Sequence, residues 1–224
     1  MSLSLRVSLT IFSLGFAIEG SGELYSVLTG GRFRPGVNLL FLLPVVMTLA
    51  GLLFVWIGRH EWGELHRDRV RQAHIVFGLS VLGGVVAGAV LAALVLWPSL
   101  GVPLWAQVAF GASAASLVLG TFVTYVYLVF HLVGPVSRGV LAASILWSLA
   151  VSALIGLTIA VNLAPIVALV QHRQPVIPGF VSPLDSLSSY LFLSYFLLLA
   201  AYVDAHRRVA SAPHPPTAPG PSAP

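Results

Sequence analysis

The sequence predicts an all-α integral membrane protein, a six-transmembrane-helix bundle with short loops and a disordered Pro-rich C-terminal tail. Three observations carry this expectation. Hydrophobic residues make up 58% of the 224-residue chain and charged residues only 8%, against roughly 25% charged in soluble domains. The mean hydropathy is +0.96, more apolar surface than a soluble core of this length absorbs. The apolar residues also fall in runs of about 20, the length that crosses a hydrocarbon layer of about 30 Å.

Taken in order, the expected spans are 5–28, 37–57, 75–97, 104–130, 140–170 and 186–203, together forming one domain over 1–210. The first is the weakest as a span, because its clean apolar run ends at Ile18 and is followed by Glu19 and Glu23. The rival reading is a cleaved signal peptide. Ala17-Ile18-Glu19-Gly20 lacks the small-x-small pattern of a cleavage site, which favours a retained helix. Gly20-Ser21-Gly22 then reads as the end of that helix, leaving both glutamates at the outer interface to meet Arg32 and Arg34. The fifth span is long enough to tilt, and Pro165 within it, like Pro44 within the second, is expected to kink its helix. The last span ends at Asp204, Arg207 and Arg208.

All 11 basic side chains are arginine. With six spans, Arg6, Arg59, Arg67, Arg69, Arg71, Arg138, Arg207 and Arg208 share one side, against Arg32, Arg34 and Arg173 on the other. This bias places both termini in the cytoplasm, in a membrane of prokaryotic cell type. The net charge of +4 thus reflects loop arginines, and no nucleic-acid partner is expected. The expected partners are the lipid bilayer and other membrane subunits or a second copy of the chain. The tail, 211–224, contains six prolines, a composition for an extended or disordered segment.

Between helices in lipid, small residues at four-residue spacing allow close backbone approach. Such stripes run through Ser80, Gly84, Gly88 and Ala92, through Ala112, Ser116, Gly120 and Thr124, and through Ser144, Ser148, Ser152, Gly156, Ala160 and Ala164. Gly84, Gly88, Gly120 and Gly156 are therefore expected at helix contacts. The third and fourth spans, joined only by 98–103, must be antiparallel neighbours.

Candidate chemistry is sparse. The chain has no cysteine, which excludes disulfides, thiolate metal sites and cysteine nucleophiles. Glu19 and Glu23, at i and i+4, share a helix face and could share a proton in a carrier. Asn162, three residues before Pro165, is a third transport candidate or a helix-break satisfier. The polar connector 59–74 is expected to be solvated and salt-bridged. Its His60-Glu61 is followed by a histidine only at His66, so the zinc-protease pattern of two histidines at i and i+4 is not met. If the connector is helical, His60, Glu64, Arg67, Arg71 and His74 align on one face. His74 and His131 mark cytoplasmic helix ends and are the candidate pair for a metal or haem; no metal site or cofactor is predicted. The outer loop from Gln171 to Asp185 is read as a rigid connection, with a lid as the alternative. In the last span Ser186, Ser188, Ser189, Tyr190, Ser194 and Tyr195 form a polar stripe suited to interhelical hydrogen bonds and interface anchoring. No hydrolase, nucleotide-binding or dinucleotide motif occurs, so an enzyme is disfavoured. The sequence reading prefers a non-enzymatic subunit or scaffold of a membrane assembly. A small proton-coupled carrier or channel using Glu19 and Glu23 is the alternative, and a haem- or metal-binding redox subunit the minor one.

Overall fold

The computed structural model describes residues 3–29, 38–60, 63–171 and 187–211. The tail 212–224, the loop 172–186 and Arg32, Arg34 and Arg173 lie outside the described residues, and so do the expectations attached to them. All regular structure among the described residues is helical: α1 Leu3–Thr29, α2 Asn38–Ile57, α3 Gly63–Leu96, α4 Leu104–Val129, α5 Pro135–Val161, α6 Leu163–Gln171 and α7 Phe192–Ser211, with a 3-10 turn at Pro98–Leu100. Helices α1, α3, α4 and α5 and the segment Leu187–Ser211 are long and apolar enough to cross a membrane. In α2 the side chain of Pro44 lies outside what is described.

Local chemistry sets several boundaries. Pro103 caps α4 and Pro135 opens α5 behind the extended Gly134, positions where a missing N–H costs nothing because the first helical N–H groups have no partner. Gly63, at φ +82°, opens α3, and Gly101, at φ +61°, closes the 3-10 turn. Both backbone conformations favour glycine. The expected fifth span is broken: α5 stops at Val161 and α6 resumes at Leu163. The break falls where Pro165 cannot donate to the Val161 carbonyl, and Asn162 caps α5 there, with its backbone N–H and its Nδ2 both donating to the Thr158 carbonyl, at 3.2 and 2.7 Å.

Each helix runs antiparallel to its neighbours in a ring ordered α2, α1, α7, α5, α4, α3, with only light contact between α2 and α3. At one end Arg6 reaches the carbonyls of Val209 and Ala210 on α7, while Asp204 of α7 accepts hydrogen bonds from Gly134 N–H at 3.0 Å and Ser137 Oγ at 2.8 Å. Asp204 therefore caps α5 from a neighbouring helix. In mid-bundle α5 and α7 exchange hydroxyl bonds, Ser144 Oγ to Ser194 carbonyl and Ser194 Oγ to Ser144 carbonyl, at 3.3 and 3.1 Å. The face of Ser144, Ser148 and Ser152 is fully buried.

The small-residue stripes meet different fates. A Cβ added to Gly156 would lie 2.7 Å from the Gly111 carbonyl oxygen and 2.8 Å from Ala115 Cβ, so α4 and α5 cross backbone to backbone. At Gly120 it would strike Ser80, and at Gly84 it would come within 3.3 Å of Leu117. At Gly88 it would meet nothing within 4 Å. The expectation for Gly88 is thus corrected: the α3 stripe turns away from α4 by one helical turn beyond Gly84, because four-residue steps drift around a 3.6-residue helix.

The first helix is also corrected. It does not end near Ile18 but continues unbroken through Gly20-Ser21-Gly22 to Thr29. An added Cβ at Gly20 would lie 3.3 Å from Tyr195 Cβ. The glycine there permits close packing on α7, and that contact offsets its poor helix propensity.

Candidate functional site

The centre of the ring is aromatic. Phe12 and Phe16 of α1 meet Tyr125 of α4 edge-on, with centroids 5.6 and 4.9 Å apart, and Tyr202 of α7 at 5.5 and 4.9 Å. Phenols buried this way need partners. Tyr202 donates to the Tyr125 carbonyl at 2.9 Å, and the Tyr125 hydroxyl bonds Thr48 Oγ1 of α2, also at 2.9 Å.

One turn beyond Phe16, Glu19 enters this cluster. It lines a cavity of about 30 Å³ with Ile11, Phe12, Gly15, Phe16, Met47, Thr48, Tyr125 and Tyr195. One helix supplies the carboxylate, three others supply the hydroxyls of Thr48, Tyr125 and Tyr195, and apolar groups complete the wall. Glu19 stands about 24 Å along α1 from Leu3, inside a helix long and apolar enough to cross a membrane, where an ionisable group is costly and needs a reason. No hydrogen bond or ion pair engages its carboxylate among the described residues. Glu23 is half-buried one turn further on and does not line the cavity.

The other sequence candidates lie elsewhere. Asn162 is occupied with the α5–α6 break and is not part of the cavity wall. In α7, Ser194 and Tyr195 face the bundle; Tyr190, in the turn before it, is exposed and its carbonyl accepts a hydrogen bond from Trp147 Nε1 at 2.7 Å. His74 turns its Nδ1 to the Val70 carbonyl at 2.8 Å and packs its ring on Trp56, which also carries the Arg59 guanidinium at 4.2 Å.

The partner of His131 is His66, not His74. His66 Nδ1 and His131 Nε2 share a hydrogen bond of 2.8 Å. His74 is two turns along α3 from His66, about 12 Å away along the axis. The connector is therefore not uniformly solvated. Glu64 and Arg67 form an exposed i, i+3 pair at 3.6 Å, and Asp68 leans on Arg67 at 3.8 Å. His66 is 1% exposed. The sequence signal for it was the spacing 66, 70, 73, 77, 80, a 4-3-4-3 stripe carrying Val70, Ala73, Phe77 and Ser80, all buried or packed against the core. The charged stripe through Glu64 and Arg71 masked it.

Burial first, then His66 and the guanidinium groups of Arg69 and Arg138, push His131 down to about 4 from the ordinary histidine value of 6.5. The same positive surroundings oppose a metal cation at this pair. Among the described residues no group of three or more histidines and carboxylates stands close enough to hold a metal ion.

No protein family, curated protein or solved structure matches the chain. The fold and site define a class by themselves: a helical membrane bundle whose interior holds a carboxylate and three hydroxyls about one small cavity.

Proposed function

We propose that this chain is a six-span membrane protein with both ends cytoplasmic, and that it moves protons as a small carrier or channel with Glu19 as the proton-binding group. One observation carries the reading, the convergence of Glu19, Thr48, Tyr125 and Tyr195 from four helices on a single cavity. Transport sites are built from polar groups of several helices near mid-membrane, whereas the sequence offered Glu19, Glu23 and Asn162 without a site that joins them. A water needs about 10–15 Å³ measured this way, so 30 Å³ accommodates a water or two beside the carboxylate, as a proton path needs. The scaffold reading rests on acidic residues falling in a single span, and exposed apolar faces such as Leu79, Leu82 and Val86 of α3 do not favour it, since lipid covers them as well as a partner subunit does.

The sixth crossing assigns α2 to the membrane. Its 20 residues, apolar apart from Asn38 and Thr48, span about 30 Å. The cysteine-free chain allows a direct check with single cysteines at Ser99, in the 3-10 turn, and Ser211, both exposed. An impermeant thiol reagent applied to intact cells is expected to label position 99 and spare 211; the reverse pattern would invert the topology.

For the function itself, purified protein in proteoliposomes is expected to dissipate an imposed pH gradient. Glu19→Gln should reduce that flux to the level of empty vesicles, and Asn162→Ala should leave it intact. Full flux in Glu19→Gln would rule out the assignment.

A further inference from the structure

The polar start of α3 meets the bundle through two buried side chains, His66 and Val70, and through Arg69, whose guanidinium lies over Tyr127. Of residues 63–71 only His66 and Val70 are buried; Glu64, Leu65, Arg67, Asp68 and Arg71 face outward. The surface that receives this segment is the turn after α4, where Leu132, Val133 and Gly134 are buried around His131. The only polar bond recorded between residues 63–71 and this turn is the one between the two imidazoles. Their outer nitrogens, His66 Nε2 and His131 Nδ1, are buried with no hydrogen-bond partner among the described residues.

We propose that the His66–His131 pair is an acid-released clasp: with both rings neutral it pins the first turns of α3 to the α4–α5 turn, and protonation lets that segment detach.

The chemistry follows from the single shared proton. A neutral imidazole has one N–H and one lone pair, so two neutral rings bridge as donor and acceptor. One added proton places an imidazolium in a site shielded from water. A second removes the accepting lone pair, and the bridge is lost. The surroundings oppose even the first step. Arg69 on α3 and Arg138 on α5 both act on His131, their guanidinium groups lying over the rings of Tyr127 and Phe130. On α7, Asp204 and Arg208 reach the far side of the turn at Gly134 but are paired with each other at 3.1 Å. On the α2 side, Arg59 is engaged with Trp56. No carboxylate acts on His131 to steady a charge there. Arg67 and Arg71 are already exposed and Arg69 is half-buried, so on detachment the arginines meet solvent or lipid headgroups.

The sign is definite. Because the folded state holds His131 below its ordinary value, attachment is complete above pH 6.5 and weakens as pH falls from 6.5 toward about 4. The clasp is closed at neutral pH.

The test uses the full-length chain in lipid nanodiscs, with spin labels on cysteines at the exposed positions Leu65 and Val136 and their separation measured by pulsed EPR from pH 8 to 4. The expected result is one narrow distance at pH 7.5 and a longer, broad population that grows below pH 6 and exceeds half near pH 4. The double variant His66→Phe, His131→Phe, which has nothing to protonate there, is expected to keep the narrow distance throughout. An unchanged wild-type distance at pH 4, or equal acid broadening in the double variant, would overturn the clasp. Should the double variant fail to fold, nitrogen-15 histidine NMR of the wild type decides. Both rings are expected to be neutral at pH 7.5 and to become charged only as the long-distance population grows; charging of both rings with the distance unchanged would refute it.

Discussion

Leucine at Gly156 is expected to destabilise the purified protein by about 1 to 3 kcal/mol, the usual range for an overpacked interface. For a chain of this size that is roughly a 2 to 12 °C drop in unfolding midpoint. The atoms that an added Cβ would meet are the Gly111 carbonyl at 2.7 Å and Ala115 Cβ at 2.8 Å. Neither is the movable end of a long side chain, so relief requires the two helices to separate. Gly111→Leu should behave alike, since an added Cβ there would strike the Gly156 carbonyl and lie 2.7 Å from Ala160 Cβ. Gly88→Leu is the internal control and is expected to leave the midpoint unchanged, because its side chain would project into open space. Equal shifts at 88 and 156 in a detergent thermal-melt series would mean that the α4–α5 crossing is not the close contact described here.

Removing the ring of Phe12 is expected to cost more, about 3 to 5 kcal/mol, the range for a buried aromatic truncated to alanine. Phe12 is 2% exposed and touches Phe16, Tyr125 and Tyr202 with centroids 6.0, 5.6 and 5.5 Å away. It also fills the space left by Gly51, where an added Cβ would sit 2.7 Å from the ring. Within a bilayer the loss is one of packing, since lipid tails are as apolar as the protein interior. Phe12→Ala therefore opens a void next to the 30 Å³ cavity. Phe12→Leu should recover part of the loss. The check is denaturant or thermal unfolding of both variants; an alanine variant as stable as the wild type would show that α1 is not wedged against α2, α4 and α7 by this ring.

The reach of sequence reasoning differs from residue to residue. Asn162 and Pro165 announced a break in the fifth span because helix interruption is local chemistry: proline lacks an N–H, and asparagine competes for backbone partners. Glu19 was singled out by composition alone, as an acidic residue in an apolar run. Its neighbours could not be. Thr48, Tyr125 and Tyr195 are separated from it by 29 to 176 positions, and which faces of α2, α4 and α7 they occupy depends on the rotation and depth of each helix against α1. His66 was missed for the same reason. Its stripe with Val70 and Ala73 was present in the sequence, but the neighbouring charged stripe was equally regular, and only docking on the α4 turn decides which faces inward.

Glycine makes the division plain. Gly88 and Gly156 are alike in sequence, each lying in an apolar run near other small residues, where the sequence by itself determined only that helices could approach, and Gly20, beside Glu19, read as a helix end. Tertiary structure assigned Gly20 to a close packing on Tyr195, Gly156 to a backbone crossing and Gly88 to an open face. What the sequence did determine was the all-helical, membrane-compatible character of the chain, because run length, the scarcity of charge and the positions of proline act within one helix at a time. The ring order, the polar cavity and the histidine pair were decided by tertiary structure, because each depends on side chains from different helices meeting at one depth and one angle, and no pattern within a single helix encodes that meeting.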